Sequence, residues 1–233
     1  MATDRFKDAV WLPVVESHYA VVGGAGGIGS SVAFLLARLN PYGIGIYDPE
    51  NVDNVNLSNQ LFSSKHRGMS KVNAVSATVS DYSSKSIIAI QLKFTEDCPT
   101  YDIYFACFDN MAARKAMFEN FKRAFLLYTT QESNGTAAPL FIDGRLTAEQ
   151  FQVYCVHNQD TIERYEKTLF PDEEAAILPC GFKGTTHNSF MIASKMIACY
   201  TNFAANIATG EPHRVLPFMI ENDIYTMTET VEL

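Results

Sequence analysis

The chain has 233 residues, 47% of them hydrophobic, and a formal charge of −8. That length and apolar content suit one α/β domain with a substantial core and argue against a disordered or fibrous chain. The acidic balance, with no basic run and no ladder of aromatics, argues against non-specific binding to nucleic acid.

The N-terminal segment MATDRFKDAV holds no long apolar stretch, so no signal peptide is read there. Residues 19–23 form an apolar strand that runs into Gly24-Ala25-Gly26-Gly27-Ile28-Gly29. A helix is expected from Ile28 to Leu39, ended by Asn40-Pro41. A second strand, Gly43 to Tyr47, stops at Asp48, and the Asn- and Asp-rich stretch from Asp48 to Gln60 favours turns. Ser70 is placed to cap a helix from Lys71 to about Ser80. Strands follow at Ile87–Leu92 and Ile103–Phe108, then a helix from Asp109-Asn110 to Arg123, then a fifth strand at Phe125–Thr129. This alternation predicts a Rossmann-like, doubly wound, mainly parallel sheet with helices on both faces. Pro139–Ile142 and Phe151–His157 have no helix between them and read as antiparallel strands extending the sheet, with Asp143-Gly144-Arg145 as the turn after the first. Asp160-Thr-Ile-Glu163 resembles a capping box with Asp160 as the cap. The apolar stretch 190–207 is interrupted by Lys195, Thr201 and Asn202, so it reads as a core or dimer-interface helix near 188–207 and not a membrane span. No repeat or linker divides the chain, and 1–233 is taken as a single domain.

Five cysteines, Cys98, Cys107, Cys155, Cys180 and Cys199, stand at wide spacings without a Cys-x-x-Cys pair. A structural zinc site of that type is not expected, Cys107 and Cys155 read as core residues, and a reducing cytoplasm fits.

Gly24, Gly26 and Gly29 satisfy the G-x-G-x-x-G spacing, with a strand before and a helix after. Glycine permits the tight turn and lets phosphate approach amides at the helix start. Gly27 belongs to the same turn, and Asp48 stands where an acid can hold a ribose. A nicotinamide-dependent oxidoreductase would explain these residues but would leave Gln60, Lys71 and Asp109 without a role.

The segment Asp48-Pro-Glu-Asn-Val-Asp-Asn-Val-Asn-Leu-Ser-Asn-Gln60 resembles the D-x-D-x-V-x-x-x-N-L-x-R-Q signature of the ThiF/MoeB/HesA family of ubiquitin-activating-type adenylyltransferases, with Glu50 where the pattern has its second Asp. Gly68-Met-Ser-Lys71 is similar to that family's G-x-x-K, and Asp109-Asn110 with Arg114 to its D-N-x-x-x-R. The likeness is close over about 20–130 and looser to about 210. It implies ATP- and Mg²⁺-dependent adenylation of the C-terminal glycine of a small ubiquitin-like or sulfur-carrier protein, by a homodimer. It further implies that Lys71 neutralises triphosphate charge, Asp109 holds Mg²⁺, and Asn56 and Gln60 bind nucleotide or phosphate.

One position departs from the pattern: Asn59 replaces the family's Arg and carries no charge. Arg5, within Asp4-Arg5-Phe6, resembles the Arg–aromatic element that relatives insert into the neighbouring subunit's site; Arg67 and Lys65 are other candidates. Cys180 stands in a crossover loop near 170–187, where relatives carry a thiolate, with Lys183 and His187 nearby. The expectation is a minimal bacterial or phage-type activating enzyme that forms a thioester on Cys180. Sulfur-carrier activation, an oxidoreductase and an inactive nucleotide-binding partner subunit are the alternatives.

Overall fold

The computed structural model describes residues 5–130, 138–174 and 184–233. One eight-stranded sheet organises them: β1 (Tyr19–Gly23), β2 (Gly43–Tyr47), β3 (Ile88–Ile90), β4 (Ile103–Ala106), β5 (Leu140–Thr147), β6 (Gln150–Val156), β7 (Met219–Asp223) and β8 (Thr228–Glu232). Their spatial order is 3-2-1-4-5-6-7-8. The pairs β2–β3, β1–β2, β1–β4 and β4–β5 are parallel. The pairs β5–β6, β6–β7 and β7–β8 are antiparallel. The expected Rossmann-like sheet with an antiparallel extension is therefore observed, and β5 is the strand on which the direction changes.

The strand residues alternate between two cores, as the two-residue period demands. Ala20, Val22, Ile44, Ile46, Ile103, Phe105, Leu140 and Ile142 face α1 (Leu12–Ser17), α2 (Gly27–Leu39), α3 (Lys71–Tyr82) and α6 (Thr186–Thr209). Val21, Tyr104, Ala106 and Phe141 face α4 (Met111–Thr130) and α5 (Gln159–Glu166), where Phe118, Phe121 and Tyr165 supply much of the second core. No helix among the described residues is long and apolar enough to cross a membrane.

Several expectations change. The fifth strand at Phe125–Thr129 is the last part of α4. Phe118, Phe121 and Phe125 recur at helical spacing onto the sheet, while Leu126 and Leu127 are exposed, so the helical period overrides the local strand-like composition. Asp143-Gly144-Arg145 lies within β5 and not in a turn; the reversal comes at Ala148, whose φ is 53°. Asn158, not Asp160, caps α5, and its side chain accepts from the Thr161 amide at 2.8 Å. The short helix α1 and the β7–β8 hairpin had no counterpart in the sequence reading. Ser70 caps α3 as expected, its Oγ accepting from the Asn73 amide at 3.4 Å.

The glycine turn sets how α2 leaves β1. Gly24 has φ +87°, and its amide donates to the Tyr47 carbonyl at 2.8 Å. A Cβ on Gly29 would stand 1.8 Å from the Gly24 carbonyl oxygen, whereas a Cβ on Gly26 would have nothing within 4 Å. Gly29→Ala is therefore expected to cost about 3 kcal/mol, because backbone must move. Gly26→Ala should stay within about 1 kcal/mol of wild type. Urea denaturation of the two variants checks this, and equal losses would contradict the geometry.

Candidate functional site

The strand order reverses at β1, with α2 leaving on one face of the sheet and α4 on the other. In open α/β sheets the crevice at the carboxyl ends of such strands is where ligands bind. The glycine turn follows β1, Asp48 follows β2, and Asp109 follows β4. The first rim of the crevice is thus made of three loops whose spacing is fixed by adjacent parallel strands.

Asp48 is 8% exposed and is held by the chain itself. One carboxylate oxygen accepts from the Ala25 amide and the other from the Glu50 amide, each at 2.8 Å. Each oxygen keeps a lone pair for a hydroxyl. Burial raises the Asp48 pKa above its ordinary value, opposed by the two amides and by the charge of Lys71. Glu50 sits beyond it, largely exposed, and pairs with Lys71 at 2.6 Å. The Lys71 amide also donates to the Glu50 carbonyl at 2.9 Å, so the G-x-x-K element and the acidic element are tied by side chain and backbone alike. Lys71 is buried at the first position of α3.

Asn56 uses its side-chain oxygen locally, accepting from the Asp53 amide at 2.8 Å in a reciprocal capping box. Its turn-stabilising part is therefore observed directly. Gln60 differs: its Oε1 is buried and has no hydrogen-bond partner among the described residues. Such an atom is costly unless something donates to it. Asn59 lies between the glycine turn and the start of α6. Its carbonyl stands 3.1 Å from where a Cβ of Gly27 would be, and its Nδ2 stands 3.9 Å from where a Cβ of Gly184 would be. Ser189 of α6 touches Gly27 in the same way, and the Thr186 hydroxyl donates to the Ser58 carbonyl at 2.5 Å. The late helix thereby forms a wall of the crevice, a role its apolar sequence did not announce.

Asp109 is exposed, with the Asn110 amide group 3.2 Å from its Oδ1. Asn110 caps α4, its Oδ1 accepting from the Ala113 amide at 2.8 Å, and Asp172 accepts from the Met111 and Ala112 amides at 2.5 and 3.3 Å. The helix amides are thus satisfied by other groups, and the Asp109 carboxylate is not spent as a cap.

Arg114 turns inward. Its Nε donates to Asp143 at 2.6 Å and its Nη2 to the Phe108 and Gly144 carbonyls at 2.6 and 3.2 Å. Arg145 is likewise drawn in, donating to Asp143 at 2.7 Å, so it is not presented for docking a partner. The signal for Asp143 was present in the sequence as a lone acid inside an apolar strand, but two of its three partners, Arg114 and Tyr165, are distant in the chain.

The remaining candidates are dispersed. Arg5 is exposed in the turn ahead of α1. Lys65 pairs on the surface with Asp81 at 3.7 Å, and Arg67 is exposed. His187 is exposed and bonded to the Thr185 hydroxyl at 3.2 Å. Cys180 and Lys183 lie outside the described residues. Cys107 and Cys155 are core residues: burial and the charge of Asp143 push the Cys107 thiol up, and a hydrogen bond with Cys199 and burial do the same for Cys155. Among the described residues no cluster of three or more His, Cys, Asp or Glu is arranged to hold a metal.

Space in front of Gly26, an acid positioned for a hydroxyl, a fixed cation and an unpartnered Gln60 oxygen fit a nucleotide with its phosphates at the start of α2. Residues 2–232 match the ThiF family, and the chain belongs to it. Among solved structures, Escherichia coli MccB with ATP superposes with a TM-score of 0.65 at 18% identity, over 96% of this chain and 65% of that one. The same enzyme with AMPCPP and MccA gives 0.66 at 17% identity, over 96% and 65%. PaaA gives 0.67 at 14% identity, over 99% of this chain and 68% of that one. At these identities the likeness is one of fold, and this chain spans about two thirds of the MccB length. No curated protein matches the sequence.

The raised Asp48 pKa has a consequence for stability. A carboxyl whose folded pKa lies above its unfolded value favours folding most when protonated, and loses that contribution as pH rises through the folded pKa. Lowering pH through that value should therefore stabilise wild type relative to Asp48→Asn. Thermal midpoints of both proteins between pH 7 and pH 4 read the sign, and a gap that moves the other way would refute the assignment.

Proposed function

We propose that this protein catalyses ATP- and Mg²⁺-dependent adenylation of the C-terminal carboxylate of a small protein or peptide. The observation that supports this best is the glycine turn, open in front of Gly26 and flanked by Asp48, Lys71 and Asp109, in a chain of the ThiF family. MccB, similar in fold, has been solved with ATP and with MccA.

The chemistry brings two anions together, so the site must supply charge and orientation more than a base. When bound, Mg·ATP supplies the electrophilic α-phosphate and pyrophosphate as leaving group. Asp48 would orient the ribose through hydroxyl hydrogen bonds. The amides at the start of α2 would face phosphate oxygens, and Lys71 would act as a point cation whose place is set by Glu50. Gln60 would accept a hydrogen bond from the nucleotide or a bridging water. Asp109 would offer Mg²⁺ a hard oxygen; with phosphates and water filling the other positions, one protein carboxylate suffices.

A ubiquitin-like protein ending in glycine is the substrate class we favour, followed by a thioester on Cys180. A homodimer would let Arg5 act in the partner's site, and the single chain would form one adenylation domain. Delivery of the same adenylate to sulfur transfer uses the same first step.

Pyrophosphate exchange into ATP, with glycine-ending ubiquitin-fold proteins or peptides as the second substrate, tests the reading. Lys71→Ala and Asp109→Ala should each lower exchange about 10²- to 10³-fold. Cys180→Ala should keep exchange and lose any thiol-reducible adduct. NADH binding in place of ATP binding would overturn the proposal in favour of an oxidoreductase. ATP binding with no exchange on the cognate substrate would leave a nucleotide-binding partner subunit.

A further inference from the structure

A ring of contacts joins the Asp109 loop to the start of the crossover segment, and Asp143 is its hub. Asp143 is fully buried on β5 and accepts from Arg114 Nε at 2.6 Å, Arg145 Nε at 2.7 Å and the Tyr165 hydroxyl at 2.8 Å. On one side Arg114 reaches the Phe108 carbonyl at 2.6 Å, the residue immediately before Asp109. On the other side Arg145 donates to the Thr168 carbonyl at 3.0 Å and the Thr168 hydroxyl at 2.9 Å. Its guanidinium lies over the Tyr154 and Tyr165 rings, 4.5 and 5.4 Å from their centroids. Four residues past Thr168, Asp172 returns to the Met111 and Ala112 amides and closes the ring beside Asp109.

Two guanidinium groups around one carboxylate, all largely buried, are a poor way to stabilise a fold. An apolar set of equal volume is often as good, because removing charges from water costs so much. What this set supplies is direction. A guanidinium fork fixes two carbonyls and a carboxylate in one plane, which a lysine cannot do.

We propose that Asp143 is a positioning residue that sets the Phe108–Asp109 loop and the Thr168–Asp172 segment as one unit, so that Asp109 is presented to the metal–nucleotide pair. What the loop does once positioned rests on the adenylation reading; how it is held does not.

Two measurements on the intact chain keep these apart: calorimetric titration with ATP in the presence and absence of Mg²⁺, and amide hydrogen exchange. In Asp143→Asn, the gain in ATP affinity conferred by Mg²⁺ should shrink about tenfold or more, the usual size of an outer-contact effect on a metal site. Exchange at the Met111 and Ala112 amides should rise by about the same factor, with β1 amides unchanged. Arg114→Lys, which keeps the charge and loses the fork, should reproduce both effects. Tyr165→Phe removes one donor and should give a smaller effect of the same kind; with Arg114→Lys it carries the test if Asp143→Asn does not fold. A folded Asp143→Asn with protected Met111 and Ala112 amides would overturn the coupling. Loosening spread evenly over all strands would overturn it too, in favour of a purely structural role. Wild type that binds ATP without any Mg²⁺ effect would refute the adenylation reading alone, and the exchange result would still decide the coupling.

Discussion

The close approach of α2 to the end of β1 is the constraint on which the site depends. With Gly29 pressed against the Gly24 carbonyl, the first turn of α2 starts directly at the strand end, and its amides face the crevice. Gly24 reaches this geometry through a left-handed φ that most side chains avoid. The turn is then locked from outside: Asp48 takes the Ala25 amide, and the Gly24 amide is taken by the Tyr47 carbonyl. Asp48 is thus also a brace for the glycine turn, and the two cannot be displaced independently.

The second constraint is electrostatic. The chain is acidic overall, and the crevice has three acids on its rim, Asp48 and Glu50 after β2 and Asp109 after β4, on either side of β1. Asp48 is tolerated because the Ala25 and Glu50 amides donate to it and the charge of Lys71 favours it, and Glu50 by its direct pair with Lys71. Burying Lys71 would be costly without that partner. The arrangement holds the cation still before any ligand arrives, which lowers the cost of ordering it later.

Much of this was legible locally. The glycine spacing, the strand ending at Asp48 and Ser70 capping the Lys71 helix are all short-range features, decided by turn chemistry and capping within a few residues. Where the sequence misled, the deciding contact was distant. Phe125–Thr129 has strand-like composition, but Phe118, Phe121 and Phe125 bury against Phe141 and its neighbours only if the helix continues. Asp143 resembled a turn residue because Arg114 and Tyr165, which with the nearby Arg145 make its burial possible, lie 29 and 22 positions away. Asn110 and Asp172 share the capping of α4, and only the folded chain shows that this leaves Asp109 uncommitted. The edge hairpin β7–β8 is half polar on a sheet margin and had no periodic signal strong enough to read.

The charge inventory bears on the one departure from the family signature. Both cations carried by the recognised motifs are internally matched: Lys71 by Glu50, and Arg114 by Asp143. The described walls of the crevice therefore offer a triphosphate little uncompensated positive charge, and Asn59 adds none. Its backbone and amide are packed toward Gly27 and Gly184, between the glycine turn and the start of α6, which gives this position a structural use even without charge. On the adenylation reading, neutralising a triphosphate in this crevice needs cations that the motifs themselves do not leave over. Mg²⁺ held at Asp109 would supply two charges, and an arginine delivered from a second copy, such as the exposed Arg5, would supply another. On that reading, the replacement at position 59 would put more of the charge balance on the metal and on a second copy than in a relative with the arginine in place.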